Sequence, residues 1–107
     1  MTNIVSLNAL ADSTRRQLFE LLRDGPHTVS ELASRLPVTQ PAVSQHLKVL
    51  KEARLVAVRK QGNRRIYSID PRGLAELRAY VEGLWEDVLV EFSRAAEQLS
   101  EVKNESE

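Results

Sequence analysis

The chain has 107 residues, 42% of them hydrophobic and 28% charged, which suits one globular domain and excludes a disordered one. It contains no cysteine, which excludes disulfides, thiolate metal sites, iron–sulfur clusters and thiol nucleophiles. Its 15 Lys/Arg balance 15 Asp/Glu, so the formal net charge is zero.

Ile4 to Leu10 reads as a short apolar-rich helix. Asp12 is an N-cap candidate, and Ser13 to Arg23 follows with Leu18, Phe19, Leu21 and Leu22 apolar. Asp24-Gly25-Pro26 ends it, because glycine takes a left-handed cap and proline cannot continue a helix. Ser30 opens a second short helix, Glu31 to Leu36, and Pro37 closes it. After a three-residue turn Thr39 caps a longer helix, Gln40 to Ala53, with Pro41 tolerated in its first turn. Val43, Leu47 and Leu50 form its single buried stripe.

Two strands follow, Leu55 to Gln61 and Arg64 to Ser68 or Ile69, joined by Gly62-Asn63. A two-residue turn pairs Val58 with Tyr67 and Val56 with Ile69, and those four side chains share the face that covers the helices. Asp70-Pro71 starts a last helix that runs to about Leu99. Leu74, Leu77, Val81, Leu84, Val88, Phe92, Ala95 and Leu99 recur along it at steps of three and four, over about 40 Å. Residues 101–107 are polar and acidic and read as a disordered tail beyond a single domain of residues 1–100. The chain has no apolar run long enough to span a membrane and no secretory signal pattern, so a cytoplasmic protein is expected.

The neutral total hides a division. Residues 1–70 hold 11 Lys/Arg against 6 Asp/Glu, and residues 71–107 hold 4 against 9. Between 39 and 65 the bases Lys48, Lys51, Arg54, Arg59, Lys60, Arg64 and Arg65 face one acid, Glu52. Charge segregation alone also fits two solvated faces. The arrangement of elements adds to it. Two short helices, a turn, a longer helix and a basic hairpin make a winged helix-turn-helix, a mainly α fold with a β-hairpin wing. With Val43, Leu47 and Leu50 inward, Pro41, Gln45 and Lys48 point outward, flanked by Gln40 and Ser44. That is the half of a recognition helix that meets base edges. Glutamine pairs with adenine through both ends of its amide, and lysine reaches guanine or a phosphate. Each of these residues taken singly is equally at home on any surface. In the wing, Lys60 lies opposite Arg65, with Arg59 and Arg64 beside them; like charges across strands destabilise a hairpin by up to about 1 kcal/mol, unless something anionic meets them.

The run QPAVSQHLKVLKEARLVAVRKQGNRRIYSI resembles the recognition helix and wing of the ArsR (arsenical-resistance repressor) family of bacterial winged-helix regulators, and ALADSTRRQLFELL is similar to that family's second helix. The resemblance implies a homodimeric repressor that binds double-stranded DNA at an imperfect inverted repeat near a promoter. It implies Ser44, Gln45 and Lys48 as groove readers and Arg64 and Arg65 as wing contacts. Gln40, Pro41, His46, Arg59 and Lys60 complete the expected DNA-binding set, with His46 either partly buried or on a phosphate. The resemblance implies a dimer interface formed by the first and last helices, which in this chain falls on Ile4, Leu7, Leu10, Leu77, Val81, Leu84, Trp85, Val88 and Phe92.

Departures from the family narrow its regulation. Metal-sensing members carry a cysteine motif where this chain reads Thr28-Val29-Ser30, and others place histidine on the last helix, where this chain has none after His46. The resemblance is therefore to a cysteine-free branch, with no metal site and no cofactor expected, and it specifies no inducer. His27 and His46 make a poor metal set, and Tyr80, Trp85 and Phe92 fit a core or interface better than a ligand pocket. No nucleophile–base pair or glycine-rich phosphate loop is present, so no enzyme is expected. The rival reading is a winged-helix protein-interaction module that no longer binds DNA. Arg54 stands where family members have glycine, at a helix end that calls for a left-handed residue.

Overall fold

The computed structural model describes residues 4–105, with side chains through residue 100. Helix α1 (Val5–Leu10) is too short to persist alone, and its carbonyl end is held by the next helix. Arg15 Nε donates to the Ala9 carbonyl at 2.6 Å, and Arg16 Nη1 donates to those of Leu10 and Ala11 at 3.0 Å each. Helix α2 (Ser13–Leu22) starts at Asp12, whose Oδ1 accepts from the Arg15 N–H at 3.0 Å. Gly25, at φ +139°, turns the chain out of it, as the Asp-Gly-Pro signal predicts.

The next segment differs from expectation. Helix α3 spans Val29–Ser34, and its N-cap is Thr28, not Ser30. Thr28 Oγ1 accepts from the Glu31 N–H at 3.2 Å, while Glu31 Oε1 accepts from the Thr28 N–H at 3.2 Å. This reciprocal box satisfies two N–H groups at once and outcompetes a later start. The helix also stops two residues early. Arg35 is already its C-cap, and Leu36, which precedes Pro37, lies outside, so the connection covers residues 35–39 instead of three residues. A two-residue strand, β1 (His27–Thr28), precedes α3 and was not expected from the sequence.

Helix α4 (Gln40–Glu52) begins as expected at Thr39, whose Oγ1 accepts from the Ala42 N–H at 3.3 Å, with Pro41 in the first turn. Strands β2 (Val56–Gln61) and β3 (Arg64–Ile69) then form the wing. Their register is the expected one: Val56 opposite Ile69, Val58 opposite Tyr67, and Lys60 opposite Arg65. Gly62 takes φ +62° at the first turn position, where a tight hairpin needs a residue free of Cβ hindrance. β1 adds to the other edge of β3, giving an antiparallel sheet of order β1-β3-β2.

Leu18, Leu32, Val43, Leu47, Leu50 and Leu55 are wholly buried, joined by Val56 and Tyr67 of the wing. Val58 and Ile69 pack against that core, so the expected inward face of the hairpin is the observed one. The molecule is a winged helix-turn-helix.

α4 ends in a tight cap. Arg54 has φ 59°, the one positive value at a non-glycine among the described residues. The Leu55 N–H donates to the Leu50 carbonyl at 3.0 Å and the Arg54 N–H to that of Lys51 at 3.0 Å, the two bonds of a Schellman motif, and the buried Leu50 and Leu55 supply its apolar contact. The last helix, α5 (Pro71–Glu105), begins on this cap. The Gly73 N–H donates to the Arg54 carbonyl at 2.7 Å and the Asp70 N–H to that of Leu55 at 2.9 Å. A Cβ on Gly73 would lie 2.5 Å from the Ala53 carbonyl oxygen, so only glycine permits the approach. Asp70 caps α5: Oδ1 accepts from the Arg72 N–H at 3.0 Å, and Oδ2 accepts from Arg72 Nη2 at 2.8 Å. The Arg72 side chain first, then its backbone N–H, holds the Asp70 carboxyl below its usual 3.8.

The chain divides into two compact units, Met1–Leu77 and Arg78–Glu107. The second is a helical segment whose described side chains are all exposed. α5 is 35 residues long, about 50 Å. It continues through residues 101–105, where the sequence suggested a tail, and residues 106–107 lie outside the described residues.

Arg54→Gly removes left-handed strain of about 1 kcal/mol and should raise the melting temperature by about 4–8 °C at fixed protein concentration. Gly73→Ala should lower stability by at least 1–3 kcal/mol, since the obstacle is backbone. A fall in melting temperature for Arg54→Gly, or none for Gly73→Ala, would contradict the cap. The Asp70 carboxylate stabilises the fold above its unfolded pKa and loses that effect as pH falls through its lower folded value. Urea unfolding should show Asp70→Asn less stable than wild type at pH 7, with the gap closing as the pH falls below 3.8. A gap independent of pH would contradict the charged pair.

Candidate nucleic-acid interface

On α4 the burial of Val43, Leu47 and Leu50 turns Gln40, Pro41, Ser44, Gln45, Lys48 and Lys51 to solvent. The polar side chains therefore stand on a helix clamped along its other face. His46 is half-buried on the flank, as one of its two expected placements has it. The Arg15 backbone N–H first, then the Arg15 charge, holds the Asp12 carboxyl below its usual value.

The wing supplies the second wall. Side chains alternate along a strand, so Arg65 shares a face with Tyr67 and Ile69, while Arg64 and Ile66 take the other. Arg65 thereby points toward α4. A cleft of about 330 Å³ is lined by Ser44, Gln45, Lys48 and Lys51 of α4, Arg65 and Tyr67 of β3, and Val29. Three cations and two polar side chains meet there. Four of the expected DNA-binding residues, Ser44, Gln45, Lys48 and Arg65, come together in this cleft. Arg64 lines a neighbouring cleft of about 560 Å³ with Thr28, Val29, Ser30, Glu31, Asn63 and Arg65. Gln40, Pro41, His46, Arg59 and Lys60 line neither, although Arg59 and Lys60 are exposed beside them on β2. Lys51, outside the expected set, also lines the first cleft. Its spacing of three from Lys48 puts both on one helix face, which is the signal that finds it.

His27 lies in β1 opposite Tyr67, and its Nδ1 is 3.1 Å from Glu31 Oε2. That contact, followed by the bonds from Thr28, holds the Glu31 carboxyl below its usual value. Glu31 is thus committed to the α3 cap and to His27. Among the described residues no three His, Cys, Asp or Glu side chains gather as a metal set would. Tyr80, Trp85 and Phe92 are exposed and line neither cleft.

The residues expected at a dimer interface divide by exposure. Ile4 and Leu77 are half-buried, and Leu10 packs partly against its own core, which reduces what it can offer a partner. Leu7 of α1 is exposed, together with Val5, which the sequence reading did not single out. On α5, Val81, Leu84, Trp85, Val88 and Phe92 are all exposed, Phe92 by 73%. They recur at helical spacing on one face of a segment that carries no cover of its own.

Residues 12–58, from the α2 cap into the wing, match the family described as "Bacterial regulatory protein, arsR family". The chain is 55% identical over 86 residues to the HTH-type transcriptional regulator Rv2034 of Mycobacterium tuberculosis, which covers 80% of each chain. It is 31% identical over 70 residues to the transcriptional repressor SdpR of Bacillus subtilis, covering 65% of this chain and 76% of that one. Among solved structures it is similar to the homodimeric winged helix-turn-helix DNA-binding domain Mb0332 of Mycobacterium bovis, at 30% identity and TM-score 0.63, covering 78% of this chain and 77% of that one.

Among the described residues, His27, paired with Glu31, and His46 gather no further ligands into a tetrahedral set. Calorimetric titration with zinc should therefore show no stoichiometric binding at micromolar concentration. Stoichiometric binding that His27→Ala abolishes would contradict this.

Proposed function

The chain belongs to the bacterial arsR family of regulatory proteins, and from that membership we propose that it is a homodimeric, sequence-specific DNA-binding repressor acting in the cytoplasm. The observation that carries the reading is the cleft in which Ser44, Gln45, Lys48 and Lys51 face Arg65 of the wing. A rigid helix offers base-reading amides and hydroxyls at its N-terminal half, and cations flank them on two elements. This division of labour suits duplex DNA: phosphate contacts set position and base contacts set sequence. The like-charged Lys60–Arg65 pair, unfavourable in isolation, is relieved when a phosphate backbone lies across it. Arg59 and Arg64 add positive charge on the other face of the wing.

The second unit supports a dimer. A helix with Val81, Leu84, Trp85, Val88 and Phe92 exposed along one face presents more contiguous apolar surface than monomers usually leave open. A second copy is the proposed cover, with Leu7 and Val5 of α1 adding to the interface. A two-fold dimer presents two recognition helices, which bind half-sites about one helical turn apart as an inverted repeat. Occupying a promoter in this way blocks it. Arg54 lies at the far end of α4 from the base-reading half, so its replacement of glycine is assigned no role in reading.

Gln45→Ala should cost about 1–3 kcal/mol on an operator selected from random duplexes and little on random DNA. Arg64→Ala or Arg65→Ala should weaken binding to all sequences, and each should make the log–log salt slope shallower by about 0.9. Equal losses of Gln45→Ala on both DNAs would remove it as a base reader, and transcription raised by operator binding would replace repression with activation. Leu84→Glu or Val88→Glu should give a monomer or an insoluble chain that has lost DNA affinity, judged by sedimentation and mobility shift. A folded, full-affinity monomer would contradict the dimer.

A further inference from the structure

α3 and α4 meet across the turn at residues 35–39 through a pair of exposed side chains. Gln40 Nε2 donates to Ser30 Oγ at 3.3 Å. Gln40 is the first residue of α4, and Ser30 stands in the first turn of α3 on a backbone fixed by the Thr28–Glu31 box. The hydroxyl takes one of the two Nε2 hydrogens. The amide keeps its Oε1 and its second N–H, the two ends a base edge requires. Gln45 differs: among the described residues its side chain makes no hydrogen bond. One glutamine of the exposed face is held before any ligand arrives, and the other is free to turn.

We propose that Ser30, on the helix preceding the recognition helix, is a positioning residue for sequence reading, holding the Gln40 amide in the orientation in which it meets a base. Ser30 also lines the 560 Å³ cleft with Arg64 and Arg65, so its hydroxyl sits beside cations that a DNA backbone would approach. Glu31 next to it is already engaged by His27 and Thr28, and so does not compete for Gln40. Fixing a long side chain in advance removes part of the ordering penalty that binding would otherwise carry. The role therefore belongs to affinity for the correct sequence and not to affinity for DNA in general. This inference rests on the DNA-binding reading.

The test is selection from a random duplex pool with wild type, Ser30→Ala, Ser30→Thr, Gln40→Ala and the Ser30→Ala/Gln40→Ala pair, followed by affinities on the wild-type sequence and on random DNA. Ser30→Ala should lose about two- to tenfold on the selected sequence, relax base preference at the position Gln40 reads, and leave random-DNA affinity and melting temperature unchanged. Ser30→Thr should restore both readouts, and Ser30→Ala should cost nothing further once Gln40 is alanine. Unchanged preference in Ser30→Ala overturns the proposal. So do equal losses on both DNAs that add to those of Gln40→Ala, because the hydroxyl would then touch phosphate directly. Failure of wild type to enrich any sequence would overturn the DNA-binding reading itself, and this inference with it.

Discussion

The cap at the end of α4 is the constraint on which the rest of the first unit depends. Three elements leave or arrive within a few residues of Arg54. α4 ends there with its carbonyls satisfied by Arg54 and Leu55, β2 starts immediately after, and the first turn of α5 rests its Gly73 N–H on the Arg54 carbonyl. The left-handed turn allows the chain to reverse so sharply that Leu50 and Leu55 share one buried contact. Recognition helix, wing and the start of the long helix are thereby fixed relative to one another. Glycine, which such a left-handed position prefers, is absent at residue 54 and required at residue 73, where a Cβ would meet backbone.

That constraint explains how so small a unit presents a defined surface. Sheet and helices bury one common core, so the outward faces of α4 and the wing are not free to drift apart. Ser44, Gln45, Lys48 and Lys51 project from a helix whose opposite face is wholly buried, and Arg65 projects from a strand pinned between β1 and β2. A site carried on such elements holds its geometry better than one carried on loops. The carboxylates near it are drawn off into caps: Asp12 to α2, Glu31 to α3 and His27, Asp70 to α5 and Arg72. Glu52, at the last turn of α4, is the one acid left among the bases of residues 39–65, so the face keeps a positive excess although the chain as a whole is neutral.

Much of this was legible in the sequence because it rests on local rules. The period of Val43, Leu47 and Leu50 identifies the buried side of α4, and a two-residue Gly-Asn turn sets the wing register; the left-handed conformation of Arg54 was expected only through the family resemblance, whose members have glycine there. What escaped depends on partners distant in sequence or on competition between neighbours. β1 is two residues long, too short for any periodicity, and exists because β3 offers an open edge. Thr28 and not Ser30 caps α3 because Glu31 lies three residues after Thr28 and closes a reciprocal box with it. Ser30, released from capping, pairs with Gln40 ten residues on, which no local pattern signals. Lys51 belonged with Lys48 by simple helical spacing.

On the proposed reading, the exposed face of α4 and the basic wing act as one surface for duplex DNA. An NMR titration of the 15N-labelled protein with a duplex enriched from a random pool tests it most directly. The largest shifts should fall on residues 40–51 and 59–65, disappear together as salt is raised, and leave residues 78–100 of α5 in place. Shifts confined to α5, with the wing and α4 unmoved, would contradict it and favour a module that binds by its acidic last helix.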